Sequence, residues 1–170
     1  VSPTGSYLEI DGRPALRFVR EYAHPAERVF GLLTDPAELA HWFPATVVAP
    51  DWSPGATLTY TFETDGDGGT GTVLAHDPPR RVAFTWEGEE LHFEVETLRS
   101  GHTRLTFTHL LDERDAAARN AAGWDLCLDA LDATVEGTPA APEGGRTPDW
   151  EQVYEAYVAA GVPSGAPIPG

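Results

Sequence analysis

Between Thr103 and His109 polar and apolar residues alternate, with Leu105, Phe107 and His109 on one face and Arg104, Thr106 and Thr108 on the other. A period of two predicts a half-buried strand. After Asp112 and Glu113 the period changes. Ala117, Ala121, Trp124, Leu128, Leu131 and Val135 recur three and four residues apart, which makes one apolar stripe on a long helix. Acidic residues at its start suit the helix dipole, and Gly137 followed by Pro139 ends it. This strand and helix must bury their apolar faces, and the rest of the chain supplies mainly strands for the purpose.

The same pattern predicts strands at Tyr7–Ile10 and Leu16–Tyr22, separated by the turn signal Asp11-Gly12. His24-Pro25-Ala26-Glu27 opens a helix, with Pro25 at its first position and Val29, Phe30, Leu32 and Leu33 buried. Asp35, with Glu38 three residues on, caps a second, short helix that ends near His41-Trp42-Phe43-Pro44. Further strands are expected at Thr57–Glu63, Thr70–His76, Val82–Trp86 and Leu91–Thr97. In the last of these Leu91, Phe93 and Val95 face inward, and His92, Glu94 and Glu96 face outward. Turn residues separate the strands, so sequential antiparallel pairing is expected. The organisation is one domain over residues 1–137, a linker over 138–149, an appended helix over 150–161 and a flexible tail over 162–170. Trp150, Val153, Tyr154, Tyr157 and Val158 would share one face of that last helix.

Composition narrows the function. The net charge of −16 comes from 27 acidic and 11 basic residues, so nucleic acid and anionic membrane surfaces are not expected partners. All the basic residues are arginine, which removes lysine Schiff-base chemistry and the P-loop. No apolar run approaches the roughly 18 residues of a membrane span, and a cytoplasmic protein is expected. The single cysteine, Cys127, excludes an internal disulfide framework and a cysteine-rich zinc site. It has no basic neighbour to lower its pKa, so packing is its expected role. The run Gly66–Gly71 has the spacing G-x-G-x-x-G, but a strand follows it where a dinucleotide site needs a helix. A hairpin loop is the expectation, and Asp65 and Asp67 belong to that turn because the glutamate of a calcium loop is missing.

His109 is the most informative polar residue. It is in phase with Leu105 and Phe107, so it faces the helix, where an imidazole must find a hydrogen-bond partner. A structural histidine, a polar fixture in an apolar pocket, and an acid or base are the readings it allows. His92 is on the opposite phase, which disfavours a metal pair with His109. Trp42, Tyr60, Trp86 and Trp124 are expected to project into the same interior, as core or as a ligand cage.

Several segments together resemble one family. ALRFVREYAHPAERVFGLLTDPAELAHWFPA, TVLAHDPPRRVAFTW, GHTRLTFTHLL and AAGWDLCLDAL are similar, in order and spacing, to the START-like superfamily, also called SRPBCC or polyketide-cyclase-like. The most similar subfamily is that of the heat-shock-protein ATPase activator homologues. The resemblance covers about residues 15–137. It implies an α+β helix-grip fold, in which a curved antiparallel sheet wraps around a long C-terminal helix and two short helices close one end. It also implies a cavity for an apolar ligand between sheet and helix.

The leading expectation is therefore a protein that binds a small hydrophobic or aromatic molecule. Contacts would come from Trp42, Phe43, Tyr60, Phe62, Trp86, Phe107, His109 and Trp124. If there is a catalysed step, His109 would be the general acid or base and Tyr60 an oxyanion donor or orienting hydroxyl. No cofactor and no metal are expected. Two alternatives stay open. One is a co-chaperone-like domain that meets a protein partner through its outer surface. The other is a structural domain whose five tryptophans and five tyrosines fill the cavity. The sequence leaves the oligomeric state open.

Overall fold

The structure is a computed structural model that describes residues 4–62, 68–139 and 146–168. Its strands are β1 Ser6–Ile10, β2 Arg13–Tyr22, β3 Thr46–Val48, β4 Thr57–Thr61, β5 Thr70–Asp77, β6 Arg81–Trp86, β7 Glu89–Thr97 and β8 Thr103–Leu110. Its α-helices are α1 Ala26–Thr34, α2 Pro36–Leu39, α3 Ala117–Val135 and α4 Pro148–Ala159. The strands form one antiparallel sheet in the order β1-β2-β8-β7-β6-β5-β4-β3. This is the α+β helix-grip arrangement, a curved sheet against the long helix α3.

Register explains the core. Phe18, Phe107 and Phe93 are directly paired across β2, β8 and β7. Their rings stack with centroids 5.8 and 4.5 Å apart, and Phe84 continues the row at 5.8 Å from Phe93. Same-face aromatic pairs of this kind stabilise a sheet and fix its register. The row lies on the face that α3 covers. Ala117, Ala121, Trp124, Leu128, Leu131 and Val135 of α3 are all buried, as the stripe predicts.

The ends of the elements differ in detail from the sequence reading. Pro25 is the N-cap of α1, and the helix begins at Ala26. A 3-10 turn, Arg114–Ala116, precedes α3, with Asp115 inside it and Asp112 and Glu113 before it, so the first turn of that helix has no acid. Three-residue β3 went unread because it is too short to show an alternation. The Asp35 side chain caps α2 through the Ala37 N–H, as expected. Of the described part of the glycine run, Gly68 and Gly69 lie between β4 and β5, which pair antiparallel, and Thr70 and Gly71 begin β5. Asp65 and Asp67 lie outside the described residues.

The C-terminal segment is more integrated than an appendage. Trp150, Val153 and Tyr157 of α4 are buried in the common core, and Tyr154 stacks on Trp150 at 4.9 Å. Val158 corrects the predicted face, since it is 41% exposed. At about 100° per residue it has turned roughly 80° from Trp150, off the buried stripe. Residues 162–168 also differ from a frayed tail. Pro163 and Ala166 are buried, the Pro163 carbonyl accepts from Ala118 N–H at 2.9 Å, and the Pro167 carbonyl accepts from Arg119 at 2.9 Å. The first bond satisfies a backbone donor in the first turn of α3 that the helix itself cannot, and the second uses the Arg119 guanidinium.

Candidate functional site

His109 sits in the inward face of β8, paired with Leu16 on one side and Leu91 on the other. It is fully buried. Its Nδ1 accepts the indole N–H of Trp124 at 2.9 Å. An indole nitrogen can only donate, so Nδ1 carries no proton and Nε2 does. That Nε2–H donates to Glu89 Oε1 at 2.8 Å, and the other Glu89 oxygen accepts the Asp112 N–H at 2.7 Å. The result is a relay from a carboxylate near the surface, through an imidazole, to an indole on the long helix. Burial pushes the Glu89 carboxyl up, but the His109 and Asp112 hydrogen bonds, with the nearby charge of Arg119, outweigh it and hold the carboxyl below its usual range.

Glu89 was not singled out from the sequence, yet its signal was there. It stands two residues before Leu91, so the alternation of Leu91, Phe93 and Val95 extended by one step puts a carboxylate on the apolar face. His92, on the outward phase, is set between Arg81 and Glu90 on the far side of the sheet.

The aromatic residues predicted for the interior form one connected group. Phe43 is its hub, with centroid distances of 5.6 Å to Trp42, 6.3 Å to Tyr60, 5.1 Å to Trp86 and 5.9 Å to Trp124. Trp86 also meets Tyr60 at 4.9 Å and Phe62 at 6.0 Å, and Trp124 meets Phe107 edge-on at 4.8 Å. Phe43 lies between α2 and β3, outside any helix or strand. Phe62 is half-buried at the margin of the group, and Trp86 is 7% exposed.

Trp42 and Tyr60 use their polar groups within the protein. Trp42 donates to the Leu32 carbonyl at 2.8 Å, and the Tyr60 hydroxyl donates to the Thr85 carbonyl at 2.7 Å. Burial raises the Tyr60 pKa, so the hydroxyl keeps its proton. Gly71 makes its approach feasible, because a Cβ there would overlap both the Thr85 carbonyl oxygen and the Tyr60 hydroxyl. Cys127 is buried and its thiol is pushed up to about 12 by that burial, which keeps it from being a nucleophile at neutral pH.

A second network, buried at Asp125 and reaching the surface at Asp129 and Asp132, was missed from the sequence. Asp125, 1% exposed, accepts from the hydroxyls of Thr4 and Tyr157 and from Arg20 at 3.3 Å. Arg20 reaches on to Asp129 at 3.2 Å and Asp132 at 2.5 Å, and Tyr22 donates to Asp132 at 2.7 Å. This network joins α3 to β2, to α4 and to the chain before β1. Its role is to hold those pieces together, and it is separate from the aromatic group.

The profile of the family described as Activator of Hsp90 ATPase homolog 1-like protein matches residues 23–136. The chain belongs to this family. Among solved structures it is similar to CalU16 from Micromonospora echinospora, at 19% identity over 93% of this chain and 94% of that one, with a TM-score of 0.68. It is also similar to the protein encoded by BPP1335 of Bordetella parapertussis, at 28% identity over 92% and 89%, with a TM-score of 0.66. A third is the Aha1 dimer from Colwellia psychrerythraea, at 21% identity over 72% and 96%, with a TM-score of 0.60. The first and third likenesses establish the START-like fold. No sequence relative was found among curated proteins. Among the described residues no helix is long and apolar enough to cross a membrane.

Proposed function

We propose that the protein binds a small hydrophobic or aromatic molecule between the sheet and α3. The observation that carries this reading is the place of Phe43. Its ring is at the centre of the aromatic group, yet its backbone belongs to no regular element and is tied by Phe43 N–H to the Leu39 carbonyl at 2.8 Å. A ring on such a segment can be exchanged for a ligand ring without breaking a sheet ladder. The ligand would then touch Trp42, Tyr60, Trp86 and Trp124, with Phe62 at the margin and Phe107 and His109 behind Trp124. Apolar walls with a few polar fixtures are what small-molecule sites are made of.

Catalysis is not part of the reading. Tyr60 and both nitrogens of His109 have protein partners, so a role for either as acid, base or oxyanion donor requires one of those bonds to be exchanged first. The alternative, a partner of a chaperone ATPase acting through its outer surface, rests on the family description alone.

The test is titration with naphthalene, indole and a medium-chain alcohol, followed by tryptophan emission and by melting temperature. At least one should raise the melting temperature and perturb the emission, and Trp124→Phe should remove much of the emission change. If none of the three moves either signal, the interior is filled by its own side chains and the reading fails.

A further inference from the structure

Among the described residues, Trp42, Tyr60 and Trp124 of the aromatic group each donate one hydrogen bond, and the three bonds are not equivalent. Trp42 and Tyr60 each donate to a backbone carbonyl, of Leu32 in α1 and of Thr85 in β6. Those acceptors are fixed by the helix and the ladder. The third bond, Trp124 Nε1–H to His109 Nδ1, joins two side chains, and only side-chain rotation is needed to open it. Glu89 holds the other ring nitrogen, so the imidazole keeps a bare Nδ1 turned towards the helix when the indole withdraws.

We infer that this site selects a neutral aromatic molecule bearing a hydroxyl group, which it binds by inserting that hydroxyl between Trp124 and His109. This rests on the ligand-binding reading above and gives it a chemical class. A hydroxyl donates one hydrogen and offers lone pairs. Inserted here, its O–H donates to His109 Nδ1 while its oxygen accepts the indole N–H, so no buried group is stranded. An ether or a ketone accepts from Trp124 but leaves Nδ1 empty. A pyrrole-type N–H satisfies Nδ1 but strands the indole N–H. Each of those leaves an unpaired buried polar atom, which is costly. A charged ligand is opposed by the same burial, since His109 lies between two leucines that are fully buried. Trp124 and His109 are thus the specificity-determining pair, and Glu89 is a positioning residue that fixes the tautomer.

The experiment compares 2-naphthol, 2-methoxynaphthalene and naphthalene on the full chain, with affinities from isothermal titration calorimetry. The expected result is binding of 2-naphthol about fivefold to tenfold tighter than its methyl ether, the worth of one satisfied hydrogen bond. His109→Phe should erase that preference. Trp124→Phe should keep it, since Nδ1 is then free for the hydroxyl. In the wild-type protein 2-naphthol should also shift the Nδ1 resonance in 15N spectra of the imidazole, and this readout serves if His109→Phe does not fold. Equal affinities for the three compounds, or a 2-naphthol complex with an unmoved Nδ1 resonance, overturn the inference while leaving ligand binding intact. Failure of all three to bind overturns both.

Discussion

The Tyr157 hydroxyl donates to the Asp125 carboxylate, and so ties α4 to α3 through a side chain that is almost wholly buried. The same hydroxyl accepts the Gly5 N–H at 2.8 Å, so one phenol secures both ends of the described chain. Removing it leaves a buried carboxylate short of a donor. Tyr157→Phe should cost about 1–3 kcal/mol in urea unfolding, the range for stranding a buried polar partner. Removing residues 148–170 should cost more, because it also bares the second buried face of α3, and should appear as a lowered melting temperature or failure to fold. A truncated chain that melts like the intact one would show that α4 is energetically independent.

Leu131 tests the helix-grip core itself. It is fully buried on the stripe of α3 that runs through Trp124 and Leu128. Leu131→Ala should lower stability by about 2–5 kcal/mol, as buried leucine truncations do. A change within about 0.5 kcal/mol, the range of ordinary surface positions, would mean that this face of α3 does not carry the fold.

Glu89 supplies a pH dependence whose sign can be worked out. Its carboxyl is held below the usual carboxylate range in the folded protein. A group with a depressed folded pKa stabilises fully above its unfolded value, about 4.3 for glutamate, and loses that contribution as pH falls through the folded value. The hydrogen bond from His92, with another from Arg13, depresses Glu90 in the same direction. Stability should therefore be flat from neutral pH down to about pH 5 as far as these two groups are concerned, and fall below it. Glu89→Gln should reduce the steepness of that acid loss without abolishing it. An unchanged acid limb in the variant would show that Glu89 is not held as an ionised acceptor.

The sheet and the long helix could be read from the sequence because each has a clean period. The alternation of Leu105, Phe107 and His109 and the stripe from Ala117 to Val135 are signals of burial, and burial is what built them. The family resemblance added the order in which these elements wrap. Three things were out of reach for physical reasons. Strand β3 has three residues, fewer than a period needs to declare itself. Asp125 is an acid on a helix whose second face is covered by α4, and the pattern of α3 alone assigns that face to solvent. The docking of residues 162–168 uses backbone groups, the Pro163 carbonyl to α3 and the Ala166 N–H to the turn before it, and backbone bonds leave no mark on side-chain pattern. Within the candidate site the aromatic residues were legible as inward-facing positions. The engagement of both His109 nitrogens was not, because it depends on which partners the fold brings within 3 Å.

The bond between Trp124 and His109 makes a prediction that separates a joined pair from two neighbours in a core. Trp124→Phe keeps a ring but removes the indole N–H, and leaves Nδ1 buried without a donor. His109→Phe leaves the indole N–H without an acceptor and Glu89 without its imidazole. Each should cost about 1–3 kcal/mol beyond the change in packing. The double variant strands neither member of the pair, so its loss should be smaller than the two single losses added together. The coupling should reach at least about 1 kcal/mol, well above the roughly 0.3–0.5 kcal/mol within which independent sites add. Urea unfolding of the wild type, both single variants and the double variant measures it. Additive losses would mean that the 2.9 Å contact contributes nothing as a hydrogen bond. The imidazole would then be held by Glu89 alone, and Trp124 would be free to serve the aromatic group by its ring faces.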